Sequence, residues 1–281
     1  MRIPGVIDVV TLRDPEALRA AAQDARLDRP APGHGPLLNR LIARAARDTL
    51  SAHRQHLPSA LPKADYRRQD MRAALSTRLG SGDLDAALAG PVARAAAFVG
   101  GGPGEALELS QALIGPVVIT GFAPTPESVA AAETIGRGLN GTFAQRLLDR
   151  ITGRSRLARA ALHGLTHGNL TAIHALGIAA QNMAASLEAL REMPRTASAE
   201  AALAHALIAP RRVLRQATVP AELLGGSIRT GTLVILPVGE AARRTLDPRV
   251  AFLSEAWSGC PAHAFVPAVL RRVWTEATGA P

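Results

Sequence analysis

The sequence predicts a mainly α fold with a small β region, in one domain spanning residues 1–281. Three observations carry that expectation. Apolar residues recur at spacings of three and four, most clearly from Leu37 to His56, which is the period of a helix packed on one face. No proline interrupts the chain between Pro126 and Pro194, which leaves room for a long helix. The segment RQATVPAELLGGSIRTGTLVILPVGEAARR, Arg215 to Arg244, reads as a pair of strands around turn glycines. Apolar residues make up 47% and charged residues 20%, a globular composition. Because only 3% is aromatic, the core must be Ala, Leu and Val.

In chain order, Gly5 to Leu12 reads as a strand, and Asp14-Pro15 starts a helix through about Ala25, with Asp as cap and Pro in the first turn. A Pro/Gly-rich turn, Arg29 to Pro36, precedes the helix from Leu37 to His56, which Pro58 and Pro62 close. The next helix, Asp65 to Leu79, carries Arg68 and Arg72 on one face at i and i+4. The long helix is placed at about Ser155 to Asn182, and a shorter one ends near Met193. Gly225-Gly226 and Gly231 are turn glycines of the hairpin, and Gly100 to Gly102 is a loop with no phosphate-cradle context. An Arg-rich helix ends the chain.

The net charge of +9 is almost wholly arginine, since Lys63 is the single lysine. The arginines spread along helices and form no block with interleaved aromatics, which argues against nucleic acid as a partner. One cysteine, Cys260, excludes an intramolecular disulfide and a Cys-cluster zinc site. With no basic-then-apolar leader and no run of 18 apolar residues, the expectation is a cytoplasmic protein that does not engage a membrane.

On the expected long helix, His163, His167 and His174 fall at i, i+4 and i+11 and so would share one narrow stripe. Three readings are open. They are partly exposed helix histidines, or one is an acid/base over a buried site, or the pair at i and i+4 binds a metal. Cys260 is either a small buried hydrophobe or a thiolate ligand.

The setting of Cys260 bears on that choice. Arg215, Ala217-Thr218, Gly225-Gly226, Ile228, Gly231-Thr232 and Val234, followed by Ala251-Phe252, Cys260-Pro261 and Phe265, resemble the C-terminal third of a cytochrome P-450. VVTLRDPEALRAAAQDARLDRP resembles that family's early strand and helix, and Asp83 to Phe98 followed by Gly104 to Leu139 its succession of helices. Family members are usually much longer, so the resemblance implies a truncated cytochrome P-450-like fold. It implies haem b as cofactor with Cys260 as its metal ligand, Arg68, Arg72 and Arg215 at the propionates, and Phe252 and Trp257 beside the ring. It also implies a small or medium apolar organic substrate, and an acidic ferredoxin-type electron donor is a partner the basic surface could receive.

The departures from the family pattern shape the expected chemistry. The Glu-x-x-Arg pair falls near Ala202 and His205, and the residues four before, two before and two after the cysteine are Ala256, Ser258 and Ala262. The family's acid-alcohol pair would lie within Gly164 to Thr171, where no carboxylate occurs and Thr166, His167 and Asn169 stand instead. The expected activity is therefore peroxide-driven oxidation or a redox-neutral rearrangement or dehydration, with His167 as acid/base, in preference to ordinary dioxygen monooxygenation. The alternative is a catalytically silent relative that binds and stabilises another enzyme.

Overall fold

The computed structural model describes the whole chain except Gly82, residues 208–209, Arg211, residues 224–225 and residues 280–281, with no side-chain description at Phe143, Ala144, Arg146, Leu147 and Arg150. Gly225, one of the hairpin glycines, thus lies outside the described residues. No helix among the described residues is long and apolar enough to cross a membrane.

The N-terminal elements follow their local signals. Strands β1 (Arg2–Ile3) and β2 (Ile7–Thr11) precede α1 (Pro15–Gln23), where the Asp14 side chain accepts from the Ala17 N–H at 2.9 Å. Strand β3 (Leu27–Asp28) and helix α2 (Leu37–Thr49) come next. The helix expected to reach His56 stops at Thr49, because β4 (Ser51–Ala52) and β5 (Gln55–His56) pair as a hairpin. At its tip His53 and Arg54 take positive φ, 47° and 65°. Two successive left-handed residues make the turn that matches strand twist, and apolar spacing carries no trace of it.

Helix α3 (Tyr66–Leu79) begins as expected on Asp65, which caps it. Helices α4 (Asp83–Val99), α5 (Ala106–Val118), α6 (Pro126–Asn140) and α7 (Phe143–Thr152) follow. The single long helix expected from Ser155 to Asn182 is instead α8 (Arg154–Leu165), α9 (Leu170–His174), a π-helical turn (Ala175–Ala179) and α10 (Ala180–Glu192). Its break is a Schellman end. The Gly168 N–H donates to the His163 carbonyl at 2.8 Å and the His167 N–H to the Gly164 carbonyl at 3.2 Å, with φ of 78° at Gly168 and 49° at His167. Asn169 then caps α9, accepting from the Ala172 N–H at 3.0 Å. The π turn has its own cause: the buried Gln111 side chain inserts and donates to the Leu176 carbonyl at 3.1 Å.

After α11 (Ala199–Ala206) the chain forms β6 (Val213–Ala217), β7 (Ala221–Leu223), β8 (Gly226–Ile228) and β9 (Leu233–Leu236). Val238–Thr245, expected within the strand pair, is helix α12, and α13 (Pro248–Phe252) and α14 (Phe265–Thr278) complete the fold. The main sheet runs β1-β2-β9-β6-β3, parallel only between β2 and β9. Asp28 lies opposite Gln216, which brings the residue after β3 beside Arg215.

Three buried apolar clusters result among the described residues: a helical one, a sheet-based one, and a smaller one that joins Ala52 and Leu57 to Ile135, Leu162 and Ile173. Helices α4, α5, α10, α11 and α14 pack around the fully buried Trp274 and Leu113, whereas α1, α12 and α13 cover the sheet through Leu18, Val234 and Val250. Phe252 packs against both the helical and the sheet-based cluster. A buried polar network ties the N-terminal strands to the C-terminal hairpin: Asn39 of α2 donates to the carbonyls of Asp8 (2.7 Å) and Gly231 (2.9 Å), and the Thr232 hydroxyl donates to Asp8 (2.8 Å). Each buried polar atom in it is matched, as burial demands.

Candidate functional site

Helix α13 ends at Leu253, whose φ of 47° turns the chain into a tight loop. The Gly259 N–H donates to the Ala256 carbonyl at 2.8 Å, and the Cys260 N–H to the Phe252 carbonyl at 2.9 Å. A Cβ on Gly259 would collide with the Leu253 carbonyl, so the loop closes only with glycine there. Cys260 is half-buried. Burial pushes its thiol pKa up, while a hydrogen bond from the Ala262 N–H and the charge of Arg72 pull it down.

Three arginines expected at this site converge on the loop. Arg68 donates to the Trp257 carbonyl at 2.9 Å, Arg72 to the Gly259 carbonyl, and Arg215 to the Ser258 hydroxyl. Over the Trp257 ring stand the guanidiniums of Arg68 at 4.4 Å, Arg215 at 5.2 Å and Arg29 at 5.6 Å from its centroid. Burial and mutual repulsion push Arg68 and Arg215 down to about 10, and Arg29 well below its usual value. Arg29 escaped the sequence reading, since only the pairing of β3 with β6 places it here.

The residues expected over the cofactor are not gathered with them. His167 is exposed in the left-handed turn between α8 and α9, so the histidine stripe does not form. Thr166 donates to the Leu162 carbonyl at 2.7 Å, and Asn169 is occupied as the α9 cap. His163 stacks on His53, with ring centroids 4.8 Å apart. Only His174 of the three lies near the arginines, close enough for Arg29 to act on its charge.

His174 has its pKa lowered to about 4, first by burial and then by Arg29. The unfolded chain, with histidine near 6.5, takes up the proton first as pH falls. Stability should therefore drop from about pH 6.5 downward and level off below about pH 4, a loss of about 3 kcal/mol. Urea midpoints across this range should show the slope in the wild type and lack it in His174→Gln; equal slopes would refute the assignment.

No protein-family model matches the chain, and no curated protein matches it. Solved structures do match along almost its whole length. A six-coordinated cytochrome P-450 from Thermus thermophilus aligns with TM-score 0.61 at 19% identity, covering 96% of this chain and 84% of that one. A cytochrome P-450 from another Thermus thermophilus strain gives 0.61 at 18%, covering 98% and 82%. One described as an enzyme for C–S bond formation in chuangxinmycin biosynthesis gives 0.58 at 16%, covering 97% and 79%. The chain has the cytochrome P-450 fold. At these identities the likeness is one of architecture, and what the site holds must be argued from its own residues.

Buried atoms without partners provide that argument for the cytochrome P-450 cofactor. Arg29 Nε, Arg68 Nη1, Arg215 Nε and Trp257 Nε1 are all buried donors with no hydrogen-bond acceptor. Such groups cost roughly 1–3 kcal/mol each, more when charged, so native proteins seldom leave them unpaired. An anionic acceptor of the propionate kind fits this donor set, and a thiol within the same loop fits the iron. A cavity of about 540 Å³ lies between α3, α4 and α14 and borders Pro261 and Phe265; none of the clustered arginines lines it.

Proposed function

We propose that this chain is a haem-thiolate enzyme that holds haem b through Cys260, with Arg68 and Arg215 at the propionates, and acts on a small or medium apolar molecule. The observation that carries the reading is the set of unpartnered buried donors, Arg29 Nε, Arg68 Nη1, Arg215 Nε and Trp257 Nε1, gathered around the Trp257 ring of the loop that bears Cys260. Bound haem supplies an iron that a thiolate ligand makes electron-rich.

The chain's own residues have defined tasks in this reading. Cys260 must lose its proton on binding, which burial opposes and the Ala262 N–H and Arg72 favour. Arg72, bonded to the Gly259 carbonyl, fixes the loop that aims the sulfur. Phe252 accepts the Cys260 N–H and Trp257 offers its ring face and Nε1–H. No Asp or Glu occurs between Ser155 and Glu188, so no carboxylate of that stretch relays protons. His174, kept neutral, takes the acid/base role in place of His167. Peroxide-driven oxidation or a redox-neutral rearrangement or dehydration asks for fewer delivered protons than dioxygen monooxygenation does, and makes a ferredoxin-type donor dispensable.

A second reading, a silent relative that stabilises another enzyme, is favoured by α11. There Ala202 is buried and His205 exposed where the family's bracing ion pair would stand. Reconstitution of the purified chain with haemin separates the two. The enzyme reading expects a thiolate-type ferrous-carbonyl spectrum and consumption of peroxide; a chain that stays colourless is the silent relative.

A further inference from the structure

We propose that Arg29, Arg68, Arg215 and Trp257 Nε1 form one buried dianion site, completed by Arg29, that takes both carboxylates of a planar tetrapyrrole and destabilises the chain that lacks them. The inference rests on the haem reading above and extends it to a residue outside the cysteine loop and outside α3.

Position is the first argument. Asp28 pairs with Gln216 across the sheet, so Arg29 emerges from β3 beside Arg215. Its guanidinium reaches the Trp257 ring, and its charge also reaches His174 on α9. Arg29 therefore links the cysteine loop to the helix that His174 ends.

Electrostatics is the second. Among the described residues Asp28 is the one carboxylate whose charge acts on these three guanidiniums. Its Oδ1 is already occupied by the backbone N–H groups of Arg29 (2.6 Å) and Lys63 (2.9 Å). Three cations against one carboxylate leave at least two positive charges buried without a counter-ion. Arg29 itself makes no side-chain hydrogen bond among the described residues, and its Nε is fully enclosed. Burial of like charges without acceptors destabilises a fold. A structural role for Arg29 would supply an acceptor; a ligand site leaves its donors free until the ligand arrives.

The two roles therefore predict opposite signs in the ligand-free chain. Full-length wild type, Arg29→Gln and Arg29→Lys would be compared for haemin release to a haem-scavenging apoglobin and for thermal midpoint without haem. Arg29→Gln should release haemin about ten-fold faster, as expected for one charge-assisted hydrogen bond, yet melt at a higher temperature than the wild type when haem-free. Arg29→Lys keeps the charge, so its haem-free midpoint should not rise. Unchanged haemin release together with a lower midpoint in Arg29→Gln would overturn the proposal and make Arg29 structural. If the wild type binds no haemin, inorganic pyrophosphate becomes the probe. A midpoint raised by pyrophosphate in the wild type and not in Arg29→Gln sustains the dianion site while the haem reading fails, and no shift with either ligand defeats both.

Discussion

Replacement of Cys260 by alanine is expected to abolish the thiolate-type ferrous-carbonyl band completely while leaving the fold nearly as stable as before. Cys260 is the only cysteine in the chain, so no other side chain can supply that ligand. The loop's closure does not use the sulfur: the Cys260 N–H bonds to the Phe252 carbonyl, Gly259 to Ala256, and Arg72 to Gly259, and all three survive the substitution. Loss of one half-buried sulfur atom costs about 1 kcal/mol of burial. Haemin held by the arginines alone would give a different spectrum and dissociate faster. Persistence of the thiolate band in Cys260→Ala would show that the ligand assignment is wrong.

The second large effect is expected at a turn distant from the cysteine. Gly231→Ala should destabilise the chain by about 3–5 kcal/mol, for two independent reasons. Gly231 has φ of +83°, a conformation that costs other residues strain, and a Cβ there would collide with the backbone of Gly35, itself at φ +87°. The colliding atoms are main-chain, so no rotamer change relieves them. The same turn offers the Gly231 carbonyl to Asn39 and Gln216, so displacement would also break the network between α2, β2 and β6. Gly33→Ala is the control, since nothing lies within 4 Å of its Cβ position and its φ is not in the left-handed range. It should stay within about 0.5 kcal/mol of wild type. Equal urea midpoints for the two variants would remove the strain argument.

What was legible in the sequence was whatever local chemistry decides. Asp14 and Asp65 announce helix starts because a side-chain oxygen satisfies a free N–H within the same turn, and both do so here. The segment Ala251 to Pro261 carries the cysteine loop because its turn needs Gly259 and an accepting carbonyl eight residues back, both close in sequence. Arg68 and Arg72 could be paired in advance, since i and i+4 share a face on any helix. The stop inside the expected long helix was present as well: Gly168-Asn169 supplies a left-handed residue and a new cap, a signal masked by the absence of proline.

The tertiary structure alone decided which distant residues meet. A helical stripe has meaning only if the helix is continuous, so a one-turn break separates His167, in solvent, from His174, beside Arg29. Arg29 joins the site through a strand pairing between the two ends of the chain, and nothing in its own neighbourhood marks it among the arginines. Helix caps and tight turns follow from interactions of a few residues, whose energetics any window of sequence contains. The charge excess around Trp257 depends on three separate segments excluding water from one place, and only the packed chain contains that fact.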